Sequence, residues 1–327
     1  MGEHRDNISA RNKTKSSIPL RRYLGPLIIL ASLSTAAGFQ VARLKSAWLK
    51  WESVAPVRAA AASGSPAPMS AARKAEYEEL SRLSPQQQAE HFLDRALHQH
   101  QESLDLIPQY VDGWRGRLQE TDRLFGLVLS ALKSDDQSVR TAAVEIDLAA
   151  NNLKKSPESV ARLLQQIRKE PANRSLALWR LGALGNRGVE PQTVLAHLLV
   201  YARDPREKTR YWAVEGLAML GTDDAIDPLL DRFAHDPSPL VRERAACSLA
   251  KSGMLTKHQR LAAVPDLLNF LDDDSLDSTT RGWVYSALRV ITGTPLGNDA
   301  NAWRNWWMHH DEAQKRRASH PSAALLA

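Results

Sequence analysis

Few residues in this 327-residue chain have the type and spacing that chemistry would need. The only cysteine, Cys247, follows Arg242 and Arg244, cations that could lower a thiol's pKa toward a nucleophilic thiolate. His98 and His100 form an H-x-H pair, but on a helix side chains two residues apart point to different sides. His98 could share a metal with Glu102, yet such a site needs a third ligand and none follows nearby. His309 and His310 are adjacent and close to the C-terminus. The acidic run at residues 271–277 lacks the glycine and the terminal glutamate of a calcium-binding loop. The chain has no glycine-rich phosphate loop, no G-x-S-x-G and no H-E-x-x-H. These residues predict no catalytic constellation, no metal and no cofactor.

Composition narrows the classes further. One cysteine excludes an intrachain disulfide framework and a cysteine-rich zinc site. The net charge of +6 suggests nucleic acid until it is located. Residues 1–22 carry six Lys/Arg against two acids, and residues 43–58 carry four against one. The rest of the chain holds 33 basic and 34 acidic residues, which argues against the clustered basic face that nucleic acid requires.

The basic segments flank twenty uncharged residues, 23–42. As a helix these span about 30 Å, one bilayer core. Arg21 and Arg22 place the N-terminus on the cytoplasmic side, and Trp48 and Trp51 suit the membrane interface. The alternative is a cleaved signal peptide with Leu27 to Leu33 as its apolar stretch and Ser34-Thr35-Ala36 as its cleavage site. In both cases the bulk of the protein lies outside the cytoplasm. Residues 55–72 are rich in Ala, Ser, Pro and Gly and predict a flexible tether. The expected layout is a basic cytoplasmic tail (1–22), a transmembrane signal anchor (23–42), a juxtamembrane stretch and linker (43–78), a helical body with caps (79–310) and a disordered tail (311–327).

What must position Cys247 is a helix. Asp236 and Ser238 are N-cap residues, Pro239 suits the first helical position, and Leu240, Val241, Ala245, Ala246, Leu249 and Ala250 recur at helical spacing. Gly253 supplies a left-handed cap. The same register recurs elsewhere. Arg174, Arg210 and Arg242 each have leucine seven residues on (Leu181, Leu217, Leu249) and glycine eleven on (Gly185, Gly221, Gly253). Arg281 has Leu288 and Gly293, and Arg140 has Leu148 and Asn151. An acid precedes each arginine: Asp135 and Asp136, Glu170, Asp204, Asp236, Asp274. Amphipathic segments precede the acids, so the unit is helix, turn, helix at a period of 32–39 residues.

The pattern D-x-x-x-x-V-R-x-x-A-A-x-x-L-A resembles the HEAT repeat, in the bacterial form related to phycobiliprotein-lyase repeats, across about residues 120–293. Val139 and Val241 keep the residue before the arginine, whereas Asn173, Thr209 and Thr280 depart from it. The resemblance implies an all-α, right-handed solenoid whose arginine-bearing helices line a concave face. It also implies an inter-repeat ladder of Asp136, Arg140, Arg174, Asp204, Arg210, Asp236, Arg242, Asp274 and Arg281. The implied activity is a non-enzymatic scaffold that binds another protein, anchored in a bacterial inner membrane. A lyase or protein maturation factor is the alternative.

In this register Cys247 takes the fifth place after the arginine, where other units have Glu145, Trp179, Glu215 and Ser286, so it is expected to be structural. Glu145, Trp179, Tyr211, Trp212, Glu215, Glu243 and Trp283 are the candidate partner-binding groove. Trp303, Trp306 and Trp307 form one helical face, expected to cap the open end of the stack, with a binding patch as the alternative. At the other end Ser84 and Pro85 start a helix over residues 83–97, which pairs with one around Tyr110–Leu118 as the N-terminal cap.

Overall fold

A computed structural model describes residues 80–319, with side chains as far as His310. The expected tail, anchor and linker at residues 1–78 lie outside the described residues. Among those described there is no strand, and no helix is long and apolar enough to cross a membrane.

The helices come in antiparallel pairs. The first pair is α1 (Pro85–Leu97) and α2 (Gln101–Trp114), and the second is α3 (Asp122–Leu132) and α4 (Gln137–Ala150). Next come α5 (Pro157–Lys169) with α6 (Arg174–Asn186), then α7 (Pro191–Tyr201) with α8 (Glu207–Leu220). A short 3₁₀ turn leads to α9 (Ile226–His235) and α10 (Pro239–Ala250). In the last unit the first helix is broken into α11 (Lys257–Ala262) and α12 (Val264–Phe270), which pair with α13 (Ser278–Thr292). Helix α14 (Ala300–Ser319) closes the array.

Local chemistry starts most of these helices. Ser84 and Gln87 form a reciprocal capping box at α1, as do Thr256 and Gln259 at α11. Thr121, Asp136 and Asp277 accept backbone N–H groups at α3, α4 and α13. Proline stands in the first turn of α1, α5, α7 and α10. The expected first helix pair is present, with α2 ending at Trp114 rather than at Leu118.

The second helices of successive pairs stack on one another: α6 on α8, α8 on α10, α10 on α13. The closest approach is at α6 and α8, where a Cβ on Gly182 would run into the backbone of Gly216. At the ends of these helices Asn186 donates to Leu220 O (3.1 Å) and Met254 N donates to Ala218 O (2.8 Å). Gly221 and Gly253 take the left-handed cap with φ of 59° and 76°. Two expected caps fall elsewhere. Gly185 is helical, and Gly188 (φ 84°) turns the chain; Gly185 is instead needed because a Cβ there would lie 2.6 Å from Leu220. Asn152 (φ 51°), not Asn151, adopts the left-handed conformation after α4.

The apolar core divides at α4. Its Val139, Ala142, Ala143, Ile146 and Ala149 pack with α1–α3 around Phe92 and Trp114. Val144 and Leu148, on its other side, join the core that continues through α5–α14 to Trp303. Each such fully buried large side chain contributes about 1.5–3 kcal/mol. Helix α14 runs through Ser319, into the segment expected as a disordered tail. The stretch Glu312–Arg317 consists of helix formers, and the first breaker after it is Pro321.

Candidate partner-binding face

The repeat arginines sit where each pair turns, and their first task is local. Arg140 Nη1 donates to Ser134 O (2.7 Å) and Asp135 O (3.1 Å), and Arg174 Nε to Ile167 O (2.9 Å). Arg210 Nη1 donates to Asp204 O and Pro205 O, Arg242 Nη1 to Asp236 O, and Arg281 Nη1 to Asp273 O. In every repeat the guanidinium thus satisfies carbonyls that the end of the preceding helix and its turn leave open.

Two of the five also reach a carboxylate of the next repeat. Arg210 makes a bidentate pair with Asp236, Nε–Oδ2 2.8 Å and Nη2–Oδ1 3.0 Å, with the Asp236 side chain fully buried. Asp236 is held for this by its own turn, because Oδ1 accepts Ser238 N–H at 2.9 Å. Arg242 donates to Asp277 Oδ2 (2.7 Å) and to Thr280 Oγ1 (3.1 Å). The acid at this junction is therefore Asp277, which caps α13, and not Asp274, which makes no such bond. Asp136 is engaged in capping α4, and Asp204 is bonded by Arg206. Arg174 acts on Asp204 only through space, lying 5.9 Å from the centre of the Tyr201 ring.

The seven groove candidates separate into two sets. Glu145 is 5% exposed and is held between Arg187 Nε (2.9 Å) and Lys155 Nζ (3.2 Å). Trp179 is 9% exposed and belongs to the core. These two are unavailable to a partner, because both are buried and Glu145 is held in two ion pairs. Tyr211, Trp212, Glu215, Glu243 and Trp283 are half-buried on α8, α10 and α13. Tyr211 and Trp212 meet edge to face with centroids 5.8 Å apart.

Behind this strip lies a polar cluster that the sequence pattern does not reveal. Arg244 is buried, its Nε 2.9 Å from Glu215 Oε1 and its Nη2 donating to Ser252 Oγ at 2.5 Å. Burial, with the Glu215 carboxylate beside it, raises the pKa of the Tyr211 phenol. Cys247 sits in the same cluster, and burial pushes its thiol up in spite of Arg244. A thiol held protonated is a poor nucleophile.

The other candidates for chemistry are engaged locally. His98 Nδ1 and His309 Nδ1 lie 2.8 Å and 2.6 Å from carbonyls one helical turn back. Among the described residues no three His, Cys, Asp or Glu side chains are grouped so as to hold a metal ion. Trp303 is fully buried and donates Nε1–H to Gly297 O (2.9 Å). Trp306 and Trp307 are half-buried against the same core, and His310 stacks on Trp306 at 4.9 Å. Asp299 accepts from Asn301 N and Ala302 N to start this helix. No curated protein matches the chain at a significant level. Residues 160–250, which run from α5 through α10, match the sequence family of HEAT repeats.

Proposed function

We propose that the protein is a non-enzymatic helical-repeat scaffold that binds another protein along the exposed strip of its arginine-bearing helices. HEAT repeats generally mediate protein–protein interaction, and residues 160–250 match that family. The observation that carries the reading is the strip itself. Tyr211 and Trp212 on α8 and Trp283 on α13 are half-buried, and α10, stacked between these helices, carries Glu243, which makes no ion pair among the described residues. Tryptophan and tyrosine are among the side chains that most often anchor a partner. The uncharged segment 23–42 between two basic flanks supports anchoring to a bacterial inner membrane, with the repeats on the outer, periplasmic side.

The test is affinity capture with the full chain, followed by identification of what co-purifies and by a groove variant. Trp212→Ala combined with Glu243→Lys should reduce capture by about tenfold or more, since an anchoring aromatic is worth about 2 kcal/mol. Glu215 is unsuitable for this purpose, because its loss would strip buried Arg244 of its counter-charge. Unchanged capture by a variant of normal helicity would refute the strip. Turnover of a captured partner would favour the lyase or maturation-factor reading instead.

A further inference from the structure

We infer that α1–α4 form an arm that swings about the α4–α6 junction and is held closed on the following repeats by an ionic latch. The latch consists of three ion pairs. Glu145 of α4 lies 2.9 Å from Arg187 Nε at the end of α6, and Asp147 lies 3.0 Å from Arg180 Nε. Glu120, in the turn before α3, lies 3.1 Å from Arg180 Nη2. In each pair the acid belongs to the arm and the base to α6 or its end. Composition follows the same division: residues 80–150 carry 7 Lys/Arg against 11 acids, and residues 151–190 carry 8 against 3.

A contact across the array marks the closed position. Gln137 Nε2, in the first turn of α4, donates to Met254 O in the turn after α10 at 3.3 Å. In a straight stack three helix-to-helix steps would hold α4 and α10 about 25–30 Å apart. The arm therefore folds back until its first turn meets the far end of α10. This closure also brings like charges together. Arg260 caps α10 by donating to Ser248 O (2.7 Å) and Leu249 O (2.8 Å), and burial, then the nearby charge of Arg140, hold its pKa down to about 10. The junctions on the two sides of α6 differ in what separation would expose. Between α6 and α8 the backbones meet at Gly182 and Gly216, a close fit that parting would destroy. Between α4 and α6 the core divides, and of the buried apolar side chains of α4 only Val144 and Leu148 join the larger core. Ion pairs that part there return to water, and rehydration offsets most of the lost attraction. The latch is independent of the aromatic strip on α8–α13, and its readout needs no partner.

The experiment measures closure as a distance in the full chain, with nitroxide labels on Ser138→Cys and Lys257→Cys in a Cys247→Ser background. Both positions are exposed. Ser138 follows Gln137 and Lys257 lies three residues from Met254, so the two backbones stand within about 25 Å when the arm is closed. Arg180→Asp sets an acid against Asp147 and Glu120 and should lower the ratio of short to long separations about tenfold or more. Adding Asp147→Arg re-forms the pair with its polarity reversed and should restore the short separation. A label pair inside the stack, Glu207→Cys with Lys257→Cys, should keep its separation in every chain. If Arg180→Asp loses helicity by circular dichroism, Arg180→Gln gives the same comparison without the added acid, with a smaller shift of about threefold. Equal separations in all chains overturn the inference, as does a long separation with Arg180 in place. Opening that Asp147→Arg does not reverse, or a change inside the stack, would assign the effect to packing and overturns it too.

Discussion

At the α8–α10 junction a buried guanidinium meets a buried carboxylate of the next repeat, whereas at the α4–α6 junction the equivalent arginine meets only carbonyls of its own turn. Arg210 and Arg140 occupy the same place in the repeat and are almost equally buried, at 8% and 6%. The difference comes from the acid. Asp236 is short enough to fold back and accept Ser238 N–H, which fixes its oxygens toward Arg210. The corresponding acid after α5 is Glu170, which instead takes up Asn173. With no carboxylate to bind, the Nε of Arg140 has no partner among the described residues. In every unit the arginine secures the turn, and the acid after it decides whether that arginine also reaches the next repeat; α4 and α6 are bridged instead by Asp147–Arg180 and Glu145–Arg187.

The largest predicted effect follows from that contrast. Asp236→Ala leaves Arg210 buried without its counter-charge and should cost about 3–5 kcal/mol. Glu170→Ala, the equivalent truncation at the α4–α6 junction, should cost less than about 0.5 kcal/mol. Denaturant unfolding of the two variants measures both. Equal losses would mean that the ion pair contributes nothing beyond packing.

The junction between α6 and α8 is intermediate, and pH should expose it. The Arg206 guanidinium bonded to Asp204 holds that carboxyl down to about 2, with the Arg206 N–H helping and Arg174 acting at longer range. In the unfolded chain the group titrates near its ordinary value of about 3.9. A depressed folded pKa stabilises the fold above the unfolded pKa, so the full contribution is present above about pH 4 and disappears as pH falls toward about 2. Arg206 is 54% exposed and water screens the pair, so the contribution is about 1 kcal/mol rather than the value the whole shift would give. Asp204→Asn should therefore lower the melting temperature at pH 6 and leave it nearly unchanged at pH 1.5, below the folded pKa. Equal lowering at both values would assign the effect to packing.

The parts of this arrangement that the sequence displays are those set by local spacing. Arginine, leucine and a turn residue recur at fixed intervals, and that is enough to place α4, α6, α8, α10 and α13. What spacing does not display is which of several acids faces the arginine. In the run at 271–277 both Asp274 and Asp277 precede Arg281, and the choice fell to Asp277 because α13 begins at Ser278 and uses it as its cap. The groove was half legible for a similar reason. Register places Glu145 and Trp179 on the arginine-bearing helices, but their burial is tertiary: Glu145 is held by Arg187 of the next unit, and Trp179 joins the core. The cluster around Arg244 went unseen because a charged residue two places after an arginine looks like a solvated helix face until a neighbouring helix supplies Glu215.

The smallest predicted effect asks whether the joined side of the comparison carries anything besides packing. Cys247 stands beside the ion pair of Arg244 and Glu215, the second such pair linking α8 to α10, and it is the one residue there with a chemistry of its own. Arg244 pulls its pKa down, but burial outweighs that and keeps the sulfur a neutral thiol. Serine has nearly the same shape, and on a helix its hydroxyl can donate to the carbonyl one turn back. Cys247→Ser should therefore change stability by less than about 0.5 kcal/mol, as substitutions away from special features usually do. Partner capture should be unchanged as well. Labelling by iodoacetamide at pH 7.5 should be slower than for free cysteine, because the thiolate fraction is smaller. Fast labelling, or loss of capture in the serine variant, would give the junction a reactive role that neither its register nor its electrostatics supports.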